Sequence, residues 1–289
     1  MDVLAVGDLM LDVRVEAGAL APGGDVHGRV VVRPGGSAAN AAVWAAWAGA
    51  EAGLLGRIGD DVAGRVLREA LAERGVRADL AVDPEAPTGT MLVVHQAGER
   101  SMVADRGANA RLSPSDLPAV LRAGAVLVSG YVLLQEGSRE AGLAALERAE
   151  AGLVAVDAAS WPLVEAYGAE RLLRDLARAN VLLANEREAR ALTGCEGADA
   201  ARALGERFRI VAVKLGARGA VVCADGELLA QAAEEVVEVD PTGAGDAFDG
   251  VLLAELVRGT SLPEALARAC HAGALQVSSG RGWPEVGAG

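Results

Sequence analysis

Short apolar runs alternate with stretches of helical periodicity along nearly the whole chain, and this alternation does most to limit the folds open to it. Val3 to Val6, Ala125 to Val128, Leu153 to Val156, Val181 to Leu183 and Ile210 to Val213 are continuously apolar and only a few residues long. They read as strands buried on both faces of a parallel sheet. Between them, Ala38 to Ala48, Val62 to Arg74, Arg139 to Ala149, Ala169 to Ala179, Ala198 to Arg207 and Pro263 to Val277 carry helical patterns. Parallel strands need long crossovers, which helices supply. The expected fold is α/β: a doubly wound, mostly parallel central sheet with helices on both faces.

Two stretches break the alternation. Val13 to Arg33 and Thr88 to Arg106 contain Gly, Pro and β-formers without helical period, including the alternating run Gly89 to Val94. They are expected to form a small β-sheet projecting from the edge of the core as a lid. No internal repeat, low-complexity tract or linker divides the chain, so residues 1–289 read as a single domain.

Charge narrows the partners. A formal net charge of -13 leaves no basic stripe for a nucleic acid and repels an anionic membrane surface. Small molecules, or a second copy of the chain, are the expected partners. Cys195, Cys223 and Cys270 are widely spaced and form no Cys-x-x-Cys pair, which suits free thiols in a reducing compartment. Met1 to Val13 lacks a basic start followed by an apolar stretch, and no run of eighteen apolar residues occurs. A cytoplasmic location is expected. Lys214 is the only lysine, every other basic position being arginine. It marks either a place where a compact ammonium is wanted or a chance survivor of an arginine bias.

The strongest chemical signal is Asp240-Pro241-Thr242-Gly243-Ala244-Gly245-Asp246-Ala247-Phe248-Asp249-Gly250, which follows an expected strand Glu235 to Val239 and opens a helix. Its glycines allow a tight turn that aims free amides at one point, and the helix dipole adds positive potential. Gly243, Ala244 and Gly245 therefore read as an anion hole. Asp246, in the first helical turn, can orient a hydroxyl and accept its proton while amides and Mg²⁺ absorb charge during phosphoryl transfer. As an isolated motif it reads equally as a helix cap. A Rossmann fingerprint would need glycine where Phe248 stands, and a Walker A loop needs Lys followed by Ser or Thr, whereas Lys214 precedes Leu215. Both are excluded.

Other segments read less sharply. Gly35-Gly36-Ser37-Ala38-Ala39-Asn40 precedes an Ala-rich helix; paired glycines permit close approach of a ligand and Asn40 offers donor and acceptor, though the segment also suits a plain loop and cap. Asp12 follows the first strand, at the edge where open α/β sheets bind ligands, and can accept from sugar hydroxyls; Asp8 and Asp12 can also be solvated loop residues. Asn185 and Glu188 can hold a phosphate and a Mg²⁺-bound water, or simply cap a helix. Lys214 to Gly219 either lies along a nucleotide or forms a hairpin. Arg106, at the end of the lid, can meet an acidic sugar or pair with a nearby carboxylate.

In this order the segments resemble the ribokinase-like (PfkB) carbohydrate kinases over nearly the whole chain. Gly35 to Asn40 is similar to the family's first signature and Asp240 to Gly250 to its second; Gly56 to Asp61 and Gly107 to Ala110 are similar to further family segments. The resemblance implies ATP and Mg²⁺ as cofactors, Asp246 as base, Gly243 to Gly245 as anion hole, and Asp12, Gly35, Gly36 and Asn40 gripping the substrate. It implies that Asn185, Glu188, Lys214, Gly216, Gly219 and His271 line the ATP and Mg²⁺ site, and that Asp240 and Thr242 belong to a potassium site. Pairing of lid strands between subunits, hence a homodimer, is also implied. Ser37 and Ala38 depart from the ribokinase pattern Gly-Gly-Lys-Gly-Ala-Asn, which removes a ribose-contacting cation, whereas Glu136 is similar to a ribokinase substrate-side glutamate.

The expected activity is ATP-dependent phosphorylation of a hydroxyl of a small sugar, with a nucleoside kinase of the same fold as the alternative. Only two Phe and two Tyr are present to hold a nucleobase, which favours a free sugar, unless Trp44 and Trp47 supply the slot. A non-catalytic sugar sensor would call for a damaged base or anion hole, and both are intact.

Overall fold

In the computed structural model residues 1–18, 23–96 and 99–285 are described, so residues 19–22 and 97–98 of the two expected lid segments lie outside them. The chain opens with β1 (Val3–Val6) and leaves the core through β2 (Met10–Ala17) and β3 (Arg29–Gly35). It returns through α1 (Ser37–Trp47), β4 (Ala52–Gly59), α2 (Val62–Glu73) and β5 (Arg77–Asp83), then leaves again as β6 (Thr90–Gln96) and β7 (Glu99–Asp105). A short β8 (Leu121–Arg122) precedes β9 (Ala125–Ser129), α3 (Gly130–Leu134), α4 (Arg139–Arg148), β10 (Ala149–Glu150) and β11 (Leu153–Asp157). Next come α5 (Trp161–Tyr167), α6 (Ala169–Asp175), β12 (Val181–Asn185), α7 (Glu186–Thr193) and α8 (Gly197–Gly205). The last third runs through β13 (Ile210–Lys214), β14 (Ala220–Ala224), β15 (Glu227–Gln231), α9 (Ala244–Val257) and α10 (Leu262–Ser279).

The large sheet has the order β15-β14-β13-β12-β11-β9-β1-β4-β5. From β13 to β5 every pair is parallel, and β14 and β15 add an antiparallel edge. Both faces are covered, as the apolar strands require: Val3 and Ala5 enter one hydrophobic cluster, and Leu4 and Val6 the cluster on the opposite face. The first cluster packs α1 and α9 tightly together. A Cβ at Gly250 would fall 2.2 Å from the carbonyl oxygen of Ala41, so only glycine lets the two helix backbones approach this closely.

The separate four-stranded sheet has the order β3-β2-β6-β7, with hairpins β2–β3 and β6–β7 joined by a parallel β2–β6 pairing. It begins at Met10, three residues before the first segment predicted for it. One expected strand is absent. Glu235 to Val239 is rich in valine like a strand but enters no ladder; its backbone meets α10 instead, where Val239 and Asp240 N–H donate to the Val277 carbonyl. Lys214 to Gly219 forms the turn of an antiparallel hairpin between β13 and β14.

Candidate active site

The carboxyl ends of the parallel strands gather the polar side chains at one edge of the sheet. Asp157 ends β11, Asn185 and Lys214 end β12 and β13 in register with each other, and Asp8 follows β1. Over this edge stands the N-terminus of α9, capped by Gly243 in the left-handed conformation. The first amides of a helix have no carbonyl partner within it and face the space in front. That space is a cavity of about 770 Å³, bounded by the sheet edge on one side and by the lid on the other.

Asp246 sits in the first turn of α9. Ser37 Oγ donates to its Oδ1 at 2.8 Å and Asn40 Nδ2 to its Oδ2 at 2.7 Å. The two expected motifs, more than two hundred residues apart, thus meet at one carboxylate. Asn40 is fixed from behind as well, because its Oδ1 accepts from Trp283 Nε1 at 2.7 Å. Asn40 was expected to offer donor and acceptor to substrate; instead both ends of its amide are engaged inside the protein. Gly36, with φ at 98° and its missing Cβ directed 2.4 Å from the Asp8 carbonyl oxygen, lets the chain's own backbone pass closely, and it also lines the cavity.

Lys214 was expected along the nucleotide. Its ammonium is instead held 2.8 Å from Asp157 and 2.7 Å from Asp249, which stands one helical turn after Asp246. Although burial opposes it, the carboxylates of Asp157, Asp249 and Glu188 keep this amine protonated well beyond its ordinary range. An Arg could not offer the same compact charge to both carboxylates beneath Gly245.

Asn185 and Glu188 form a reciprocal capping box at the start of α7: Asn185 N–H donates to Glu188 Oε2 at 2.7 Å and Glu188 N–H to Asn185 Oδ1 at 3.0 Å. The capping alternative is therefore realised, and both residues still line the cavity. Gly216 and Gly219 line it from the β13–β14 turn, and Asp12 faces it from β2, where Gly35 at the end of β3 pairs with Met10. Arg106 also faces it but is bound to Asp8 through two hydrogen bonds, 3.0 and 2.8 Å, and to Ser138 Oγ at 3.2 Å.

Four predicted residues, Gly35, Glu136, Asp240 and His271, do not line the cavity. Glu136 is exposed beyond the rim while its neighbour Gln135 lines the cavity, because the chain turns outward after α3. His271 is exposed on α10 and reaches the cavity only through Glu234, 2.8 Å away. Asp240 accepts from Thr242 N–H at 2.9 Å and is ion-paired with Arg14 of the lid strand β2.

The model of the pfkB family carbohydrate kinases matches residues 1–282. The chain belongs to this family. It is similar to a fructokinase of Klebsiella pneumoniae, with 33% identity over 88% of this chain and 84% of the relative. It is 35% identical to an aminoimidazole riboside kinase of Salmonella typhimurium, over 85% of this chain and 82% of the relative. The solved adenosine kinase of Sinorhizobium meliloti superposes with a TM-score of 0.86 at 25% identity, covering 96% and 93% of the two chains.

The charge arrangement of this kinase suits phosphoryl transfer. Burial, and next the charge of Asp157, push the Asp246 carboxyl up to about 6, against the hydrogen bonds of Asn40 and Ser37. It remains largely ionised at neutral pH, yet its proton affinity is higher than a surface aspartate's. Glu188 is pushed up to about 7 by burial and by Asp157, with Lys214 opposing. Several buried carboxylates against one ammonium leave an excess of negative charge that a divalent cation would relieve. No three His, Cys, Asp or Glu side chains among the described residues converge on a closed metal site. Mg²⁺ is ordinarily held by one or two carboxylates together with substrate phosphates, and Glu188 and Asp157 are carboxylates that line the cavity.

Sequence reasoning passed over Asp157, although its place at the carboxyl end of a strand was a usable signal. Ser37 was read only as a departure from a pattern. Trp283 carries no local signal at all.

Proposed function

We infer that this chain works as an ATP-dependent sugar or nucleoside kinase, the activity of the relatives it matches in its family. We propose that Asp246 is its base, acting on a hydroxyl placed between that carboxylate and the N-terminus of α9. The hydrogen bonds of Ser37 and Asn40 to the two oxygens of Asp246 carry this reading, since they fix the carboxylate while leaving a lone pair on each oxygen. Asp246 takes the hydroxyl proton as the substrate oxygen bonds to the γ-phosphorus, and the bond to the bridging oxygen breaks toward ADP. The amides of Gly243 and Gly245 would face the charge that develops on the transferred group, whereas the Ala244 N–H, expected in the same anion hole, donates to the Pro241 carbonyl at 3.2 Å. Glu188, with Asp157 behind it, would hold Mg²⁺, which supplies neutralisation of the phosphate oxygens.

For potassium the observation runs the other way. The Arg14 guanidinium already balances Asp240, so turnover is expected to be equal in sodium and potassium. We propose a homodimer through the outer lid face, where Val30, Val32 and Val103 are 61%, 55% and 65% exposed. A cytoplasmic place is supported by the three free cysteines, and no helix among the described residues is long and apolar enough to cross a membrane. One folding unit is supported by the family match over residues 1–282.

The test is ADP release in Mg-ATP across a panel of free sugars and nucleosides, with Asp246→Asn alongside. The variant should lose about 10²- to 10⁴-fold in kcat while binding ATP within a few fold. Retained turnover would remove Asp246 from the base role.

A further inference from the structure

Apart from Asp12 and Arg106, the lid wall of the cavity is apolar. Met10 on β2, Met91 and Val93 on β6, and Met102 and Ala104 on β7 face it at alternate positions. The chain has four methionines, and every one except Met1 stands on this wall. Elsewhere the core is filled with Leu, Val and Ala. Thioether side chains are flexible and polarizable, and they make favourable contacts with aromatic rings. Sugar hydroxyls buried against such a wall would lose hydrogen bonds to water and regain none.

The charged groups point the same way. The guanidinium of Arg106 is spanned by Asp8 and Ser138, and Lys214 is held by Asp157 and Asp249. Neither cation is disposed to receive a carboxylate or phosphate on the substrate. Trp44 and Trp47 do not supply a base slot: Trp44 is buried in the core, edge-on to Trp47 at 5.2 Å, and donates to the Gly282 carbonyl.

We infer that the lid methionines form a slot for a flat, uncharged aglycone, so that the substrate is a nucleoside rather than a free or acidic sugar. This rests on the kinase reading of the same site. The sugar hydroxyls meet Asp12 and Asp246, while the ring lies against Met91 and Met102, and its burial adds binding that a free sugar cannot draw on.

The experiment compares ADP release with adenosine, inosine, cytidine, ribose, fructose and 2-keto-3-deoxygluconate. At least one nucleoside is expected to exceed ribose by about 100-fold or more in kcat/KM. Met91→Gln should then raise KM for that nucleoside about tenfold with little change in kcat, and Met91→Leu should restore it. Met102→Gln serves the same purpose if the first variant does not fold. A free sugar turned over as well as any nucleoside, with Asp246→Asn silent, would overturn the aglycone slot and keep the kinase. Silence of all three nucleosides overturns it whatever the sugars do. Turnover that survives Asp246→Asn would instead strike the base assignment.

Discussion

The two ends of the cleft are built on opposite principles. At the sheet edge, Asp157, Asp249 and Lys214 are buried charges locked to one another across three elements, and Asp246 is held beside them by Ser37 and Asn40. At the lid, Met10, Met91 and Met102 present adaptable apolar surface on a small sheet outside the core. Electrostatic preorganisation needs rigid, over-determined groups, because a charge that can relax away stabilises no transition state. Recognition of an aglycone needs shape and apolar surface, which such a wall can supply. On the proposed reading, chemistry is held by the core and selectivity by the lid.

Substitutions at the two ends should therefore differ in kind. The largest effect is expected from Lys214→Met, which leaves two buried carboxylates facing each other. Stability should fall by about 3–5 kcal/mol, read by urea unfolding, with Asp249→Asn in the same chain recovering part of it. A loss confined to kcat would show that the triad serves the reaction and not the fold.

Next in size is the acid limb of the rate profile. Asp246 must be ionised to act, and its carboxyl lies at about 6, so kcat/KM should fall about tenfold per pH unit below that value. Ser37→Ala removes a hydrogen bond to the ionised form and should move this limb to higher pH. A limb that stays in place would detach Ser37 from the base.

Glu188 sharpens the same contrast from the metal side. Its carboxyl lies at about 7, so protons compete with Mg²⁺ below that pH, and the Mg²⁺ concentration for half-maximal rate should be several-fold higher at pH 6 than at pH 8. The smallest effect is expected on the outer lid. Val103→Asp should shift the chain from dimer to monomer in sedimentation while leaving Asp246 chemistry in place; an unchanged mass would remove the lid interface.

Much of this molecule was open to inspection in the sequence. Val3 to Val6 and Ile210 to Val213 form strands because continuous apolar β-formers must be buried on both faces, and the glycine-rich turn before Asp246 announces its helix within eleven residues. Such signals lie inside one window of chain, where periodicity and turn chemistry act. Glu235 to Val239 shows the limit of that logic, since a valine-rich stretch cannot reveal that no neighbouring strand exists to pair with it. Only the tertiary structure decided that Ser37 and Asn40 meet Asp246, that Lys214 turns to Asp157 and Asp249 rather than to a nucleotide, and that every internal methionine lines one wall. These depend on sheet register and on how closely helices pack, the α1–α9 approach at Gly250 and Ala41 above all. Contacts between residues two hundred positions apart are set by that packing, and no local stretch of sequence encodes them.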